Sequence, residues 1–349
     1  MRAVQLLALV TLGVVFMGCP PKRIGKEVVW PPAPDTPRIK FVTSFRSSAE
    51  LDLSTSASVL RTVLGGDRDI ALQRPMGLAL SNDGQRLYVA DQTLQQVLVA
   101  DFTAKTMVEF ASQLDVGTPF GVAVDAKDNV FVTDQSGKRV VVFDKAGKLL
   151  RVIGAKDAFV RPTGLAIDKK RGLLYVADPA TVSTPDHRVL VFTTEGEPVR
   201  VMGTGRGPMD GQFHFPIFLD VDAEGQLYVG DTMNFRVQVF DPQGRFVRKY
   251  GEHGDGVGAF ARLKGLAHDG FGNLYAVDGE YAVVQMFNPS FDMLMFFGGR
   301  LPLLEYLDLP SGIAIDPATN RIFVANELNP RINVYQLINT TASDAKASP

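Results

Sequence analysis

The feature that most constrains this chain is a repeat. The runs ending at Asp91 (LYVAD), Asp134 (FVTD), Asp178 (LYVAD), Asp231 (LYVGD), Asp278 (LYAVD) and Asn326 (IFVAN) occupy one recurring position, at steps of 43, 44, 53, 47 and 48 residues. Each copy also opens alike: Pro75-Met-Gly-Leu-Ala, Pro119-Phe-Gly-Val-Ala, Pro162-Thr-Gly-Leu-Ala, Pro216-Ile-Phe-Leu-Asp, Leu263-Lys-Gly-Leu-Ala and Pro310-Ser-Gly-Ile-Ala. A chain with six such copies is bound to fold as an array whose units bury their faces against one another.

The fourth copy shows what one unit is. Its apolar and β-branched runs IFLDV, QLYVG, FRVQVF and RFVRKY are separated by Asp222–Gly225, Asp231–Asn234 and Asp241–Gly244, where Asp, Asn, Pro and Gly supply turn geometry. Four short antiparallel strands per repeat of this length are the signature of a propeller blade. The predicted fold is therefore all-β: a six-bladed β-propeller of four-stranded blades. Blade six runs out of chain, because after Leu337 the sequence turns polar and stops being strand-like. Ile39–Phe45 is an unassigned strand at the other end, and it is expected to complete blade six, close the ring and remove an open edge.

The third strands repeat as Arg139-Val-Val-Val-Phe, Arg188-Val-Leu-Val-Phe, Arg236-Val-Gln-Val-Phe and Arg331-Ile-Asn-Val-Tyr, with Gln96 and Val283 at the Arg place in blades one and five. With the opening motifs, these residues from Pro75 to Leu337 resemble the NHL-repeat family of six-bladed propellers. The resemblance implies the fold; for function it leaves protein binding, RNA binding, bacterial envelope lipoproteins and a zinc-dependent amidating lyase all open.

The leader narrows the choice. Residues 1–18 read as a signal peptide, with Arg2 before an apolar run from Ala3 to Met17 that is short for a membrane span. Val15-Phe-Met-Gly-Cys19 resembles a bacterial lipobox, which implies lipid attachment at Cys19, the single cysteine, and a lipid-anchored protein of a bacterial envelope, the outer membrane foremost. Residues 19–38 form an anchor cysteine and a Pro-rich spacer, in which eighteen extended residues would reach about 55 Å; whether Trp30 docks stays open. Residues 39–338 are the propeller, with a short helix expected over 54–65, and 339–349 are a polar tail expected to be disordered.

Strand direction sorts the loops. First-to-second and third-to-fourth turns share one face and are all tight, which leaves little room for a site there. Second-to-third turns and the links between blades share the other face and hold every insertion: 179–187, 203–214, 251–262 and 298–309. That face is the expected binding face, with Phe213, Phe215, Phe260 and Tyr306 as its recognition residues. The residue after each blade-opening position, Met76, Phe120, Thr163, Ile217, Lys264 and Ser311, is expected at the channel mouth. The amidating lyase of the family carries zinc-binding histidines at such positions; none of the six is His.

Asp91, Asp134, Asp178, Asp231, Asp278 and Asn326 recur in every blade, so they are read as structural, pinning their own turns and pairing with Arg139, Arg236 and Arg331 five residues on. His187, His214 and His253 lie in insertions, and their convergence on a metal is the minor alternative; His268, at a place held elsewhere by Leu, Val or Ile, reads as a core or channel histidine. No cofactor is called for. A net charge of −2 and an export signal oppose nucleic-acid binding. The expected function is a membrane-anchored extracytoplasmic scaffold that binds protein, the alternative being a metal-dependent lyase or hydrolase with its site at the channel mouth of the insertion-rich face.

Overall fold

The computed structural model describes residues 27–51, 70–112, 115–154, 157–300 and 305–339. The signal peptide, Cys19, the expected helix over 54–65 and residues 340–349 lie outside them. Six sheets follow one another around a ring. Blade four consists of Pro216–Val221, Leu227–Asp231, Arg236–Phe240 and Phe246–Tyr250, each antiparallel to the next. Burial explains the strand compositions. Leu227–Asp231 and Arg236–Phe240 are buried at every position because both faces of the sheet meet a neighbouring blade, whereas outermost Phe246–Tyr250 alternates half-buried with exposed. Apolar clusters fill the gaps between blades; one joins Tyr228, Val237 and Val239 to Leu266, Leu274, Ala276 and Phe287 of the next blade.

Blade six is assembled from both ends. Pro310–Ile315, Arg321–Asn326 and Arg331–Leu337 are completed by Ile39–Phe45, with Ile39 opposite Leu337 and Phe45 opposite Ile332. The ring closes as expected. A further strand, Val29–Trp30, adds outside it. Trp30 packs 6.2 Å from Phe297, 6.1 Å from Tyr306 and 5.8 Å from Tyr335 between ring centroids. The part of the Pro-rich segment from residue 27 on is therefore docked, which shortens the length available as a spacer. A four-residue helix, Ser48–Leu51, follows the closing strand.

The third residue of the innermost strand is Gly in five blades. A Cβ on Gly312 would lie 2.0 Å from the Met76 carbonyl oxygen of blade one, so only Gly lets adjacent inner strands approach this closely. Blade four carries Phe218 there instead, and its ring enters the channel beside Phe120, 5.7 Å away.

Candidate functional site

The recurring carboxylates are hydrogen-bond hubs. Asp91 accepts from the backbone N–H groups of Gln73, Arg74, Thr93 and Leu94, tying the turn after its strand to the segment that enters the blade. Asp134 accepts from the Thr118 and Gly137 N–H groups and from Arg139 Nε at 3.0 Å. Asp178 does the same with Val160, Arg161 and Arg188, although Arg188 stands ten residues on. Asp231 pairs with Arg236 at 2.9 Å, and Asp278 holds Ala261, Glu280 and Tyr281. Burial pushes the Asp134 carboxyl up, but the N–H groups and Arg139 outweigh it and the net shift is downward; at more deeply buried Asp231 burial wins and the pKa rises. Arg331 departs from the expected pairing. Its guanidinium donates to Ser44 Oγ of the closing strand and to Asn329 Oδ1, while Asn326 accepts from the Asp308 N–H.

The insertion-rich face is rearranged relative to expectation. Phe213 and Phe260 are fully buried, so they are core residues and not recognition residues. Each link begins at a Gly with positive φ, Gly203 or Gly251, and folds its aromatic back under the loop to seal the gap between two blades. Phe215 and Tyr306 are half-buried: Phe215 lies edge-on to His187 with Arg161 above it, and Tyr306 packs on Trp30. The exposed large apolar side chains here are different ones. Val182, Met209, Met233, Val257, Tyr281 and Leu328 all sit at tips of second-to-third turns or blade links, and Val257 is 86% exposed. The other nine exposed large apolar residues lie on the fourth strands of the blades, the closing strand included, and among the described residues none lies on the tight-turn face.

At this end the channel is stoppered. Met76, Phe120 and Phe218 pack together with Ile217 against them, and Thr163 and Ser311 spend their hydroxyls on the carbonyls of Ala177 and Pro75. Lys264 pairs with Glu327, which also accepts from Arg74 Nε at 3.0 Å. Burial pulls the Lys264 pKa down, against the opposing pull of Glu327. The three insertion histidines do not converge. His187 and His214 have ring centroids 5.8 Å apart, whereas His253 packs tilted against Phe235 at 4.3 Å, and among the described residues no three His, Cys, Asp or Glu side chains gather as metal ligands.

His187 is a structural acceptor. Its Nδ1 receives the Phe215 N–H at 2.9 Å, which requires the neutral ring. Burial first, then His214, Arg206 and Arg161, hold its pKa below the ordinary value; burial and Arg206 do the same to His214 against Asp231. A base held neutral in the fold contributes stability that is complete above its unfolded pKa of about 6.5 and is lost as pH falls below it. The melting temperature is therefore expected to drop between pH 7.5 and 5.5, and His187→Gln is expected to flatten that dependence; parallel slopes for the two proteins would show that His187 is not its source.

The tight-turn face holds the void that loop lengths concealed. Its turns are short, yet the six inner strands surround a funnel of about 590 Å³, which narrows to a throat of about 50 Å³ between the backbones of Gly77, Gly121, Gly164, Gly265 and Gly312. Room exists because the fifth residue of the inner strand is Ala in five blades. In blade four it is Asp220, whose Oδ2 lies 2.8 Å from His268 Nδ1 of blade five. Tyr228 lies edge-on to His268 at 4.3 Å and donates its hydroxyl to Asp222; burial pushes that phenol up to about 12. The sequence marks His268 as a core or channel histidine and does not single out Asp220, whose signal is the missing Ala.

Blade number, strand order and end-to-end closure define the class: a six-bladed β-propeller with an insertion-rich face and a funnel opposite. The NHL repeat family matches residues 213–240, and the family described as SMP-30/gluconolactonase/LRE-like region matches residues 68–177. These matches and the six-bladed ring support placing the chain with the NHL-repeat β-propellers. It is 30% identical over 238 residues to peptidyl-glycine alpha-amidating monooxygenase A of Xenopus laevis, covering 62% of this chain and 24% of that protein. The chain spans about a quarter of the length of the amidating monooxygenases it matches. A gluconolactonase structure from Xanthomonas campestris superposes with a TM-score of 0.60 at 19% identity, over 76% of this chain and 86% of that one. A nidogen/laminin complex structure gives 0.54 at 22%, over 66% and 82%. At these identities the structural likeness concerns the fold.

Proposed function

We propose that this protein is a membrane-tethered extracytoplasmic propeller that binds a partner protein through its insertion-rich face. The observation carrying the reading is the set of apolar tips, Val182, Met209, Met233, Val257, Tyr281 and Leu328, raised on loops of a rigid ring. Exposed Met, Tyr and aliphatic groups on one face of a scaffold suit protein recognition, since covering them removes apolar area from water at about 25 cal/mol per Å². The tether follows from the lipobox-like residues before Cys19. With Trp30 docked, the seven residues 20–26 reach about 22 Å if extended at about 3.1 Å each, so the ring works close to the membrane surface.

Two measurements test the halves separately. Cys19→Ser is expected to move the protein from the membrane fraction to the soluble one and to abolish acyl-chain labelling; retention in the membrane would remove the lipid tether. A photo-cross-linking residue at Met209 or Val257 is expected to give discrete protein adducts in cells, suppressed by Met233→Asp, and the same residue at Ala146 on the other face is expected to give none. Adducts of equal yield from Ala146, or none from either loop tip, would reject the binding face.

A further inference from the structure

We infer that the funnel on the tight-turn face binds a small molecule carrying a primary ammonium group on an apolar body, with Asp220 as its polar contact and His268 holding that carboxylate in place. This site lies at the opposite end of the ring from the proposed protein-binding face and does not depend on it.

Two departures from the repeat define the site. The fifth position of the inner strand is Ala79, Ala123, Ala166, Ala267 and Ala314 in five blades and Asp220 in the fourth; the sixth is Leu, Val or Ile in five blades and His268 in the fifth. Five blades show that the fold needs neither group, and burying polar groups beside apolar walls costs stability. The two nevertheless face each other across a blade boundary at hydrogen-bonding distance. Paired departures of this kind mark function rather than packing.

The chemistry of the pair selects the ligand. A carboxylate oxygen can only accept, so His268 Nδ1 carries the proton and donates it to Asp220. The His268 side chain is 9% exposed, and its Nε2 is itself buried without a hydrogen-bond partner, so the imidazole meets the funnel only through the carboxylate it holds. Asp220, 26% exposed, makes its one side-chain bond among the described residues to that imidazole, so Oδ1 is open. The open position accepts, and the complement is a donor; an ammonium brings up to three donors and the opposite charge.

The surrounding charges are already engaged. Lys169 Nζ donates to Asn82 Oδ1 at 2.6 Å and Lys170 Nζ to the Ala223 carbonyl. Asp168 holds Arg171 at 2.7 Å, Asp316 lies 3.8 Å from Arg321, Asp222 takes the Tyr228 hydroxyl, and Asp269 takes Asn273 and Tyr275. Asp220 is the carboxylate left to meet a ligand. The aliphatic wall accepts an apolar body, the volume falls in the range of ligand clefts, and the stopper at the far end makes the funnel blind.

The chain has four histidines, so a histidine-labelled sample gives four imidazole signals, and His268→Leu assigns the relevant one. The full chain is titrated with n-butylamine, 1-butanol and butyrate at constant pH and ionic strength. Butylamine is expected to move the His268 signal saturably, butanol to bind at least tenfold more weakly, and butyrate more weakly still. Asp220→Ala, which restores the residue used by five blades, is expected to melt no lower than the parent and to bind butylamine at least tenfold more weakly; Asp220→Asn, of unchanged size, is expected to weaken it likewise. Butyrate binding as well as butylamine, an unmoved His268 signal, or unchanged affinity in both Asp220 variants would overturn the assignment.

Discussion

Removal of residues 27–45 is expected to abolish the cooperative melt of the ring. The deletion strips blade six of its outer strand and exposes the edge of Arg331–Leu337. It also takes away Ile39 and Phe45, which are buried almost completely, and Trp30, which is 9% exposed. At about 1.5–3 kcal/mol for each large apolar side chain, these three account for roughly 5–9 kcal/mol. That is comparable to the whole stability of an ordinary domain, about 5–15 kcal/mol. The measurement is a thermal melt by circular dichroism, with a synthetic peptide of residues 27–46 added back in trans to restore the transition. A truncated chain that melts cooperatively within a few degrees of the parent would show that the ring does not depend on its closing strand.

Asp231→Ala is expected to cost about 3–5 kcal/mol, because it leaves a buried guanidinium without its carboxylate. Asp231 accepts from the His214 N–H, Asn234 Nδ2, Arg236 Nε and Gln238 Nε2, and the Arg236 side chain is 7% exposed. Asp231→Asn is expected to cost less: burial already raises this carboxyl's pKa, so the charge itself is held against desolvation, and Asn keeps an acceptor. Pairing Asp231→Ala with Arg236→Met is expected to recover part of the loss, since the stranded charge goes too. Urea unfolding of the four proteins checks the order; equal midpoints for Asp231→Ala and the parent would reduce the recurring Asp to an ornament of the repeat.

The ring, its blades and its closure were legible because they repeat, and repetition lets each copy correct the reading of the others. The turn-pinning role of Asp91 through Asp278 was legible for the same reason. Phe213 and Phe260 were misplaced because length marks a loop as surface, while the physical demand on a blade link is to seal the gap beneath it. The recurring Gly with an apolar residue further on, Gly154 with Phe159, Gly203 with Phe213, Gly251 with Phe260 and Gly298 with Leu307, carried that information. The funnel was invisible for a different reason. Turn length governs how high a rim stands, not how far apart six inner strands are held, and small side chains at one level create a void that no loop announces. Within it the informative residues are the ones that break the repeat, Asp220 and His268.

The pairing of Ile39 with Leu337 also has a consequence for the order of folding. The closing strand meets its partner 298 residues later. At about 5–20 residues per second, synthesis alone separates the two by about 15–60 s. For that interval Ile39–Phe45 is an unpaired apolar segment, and closing so long a loop costs about 1.8 kcal/mol more in chain entropy than closing one of about 40 residues. Blades one to five can condense on local contacts, and the last event is the joining of the ends. A ring built this way is slow to complete and hard to open at any seam but one, so its kinetic weak point is the seam between the closing strand and the last.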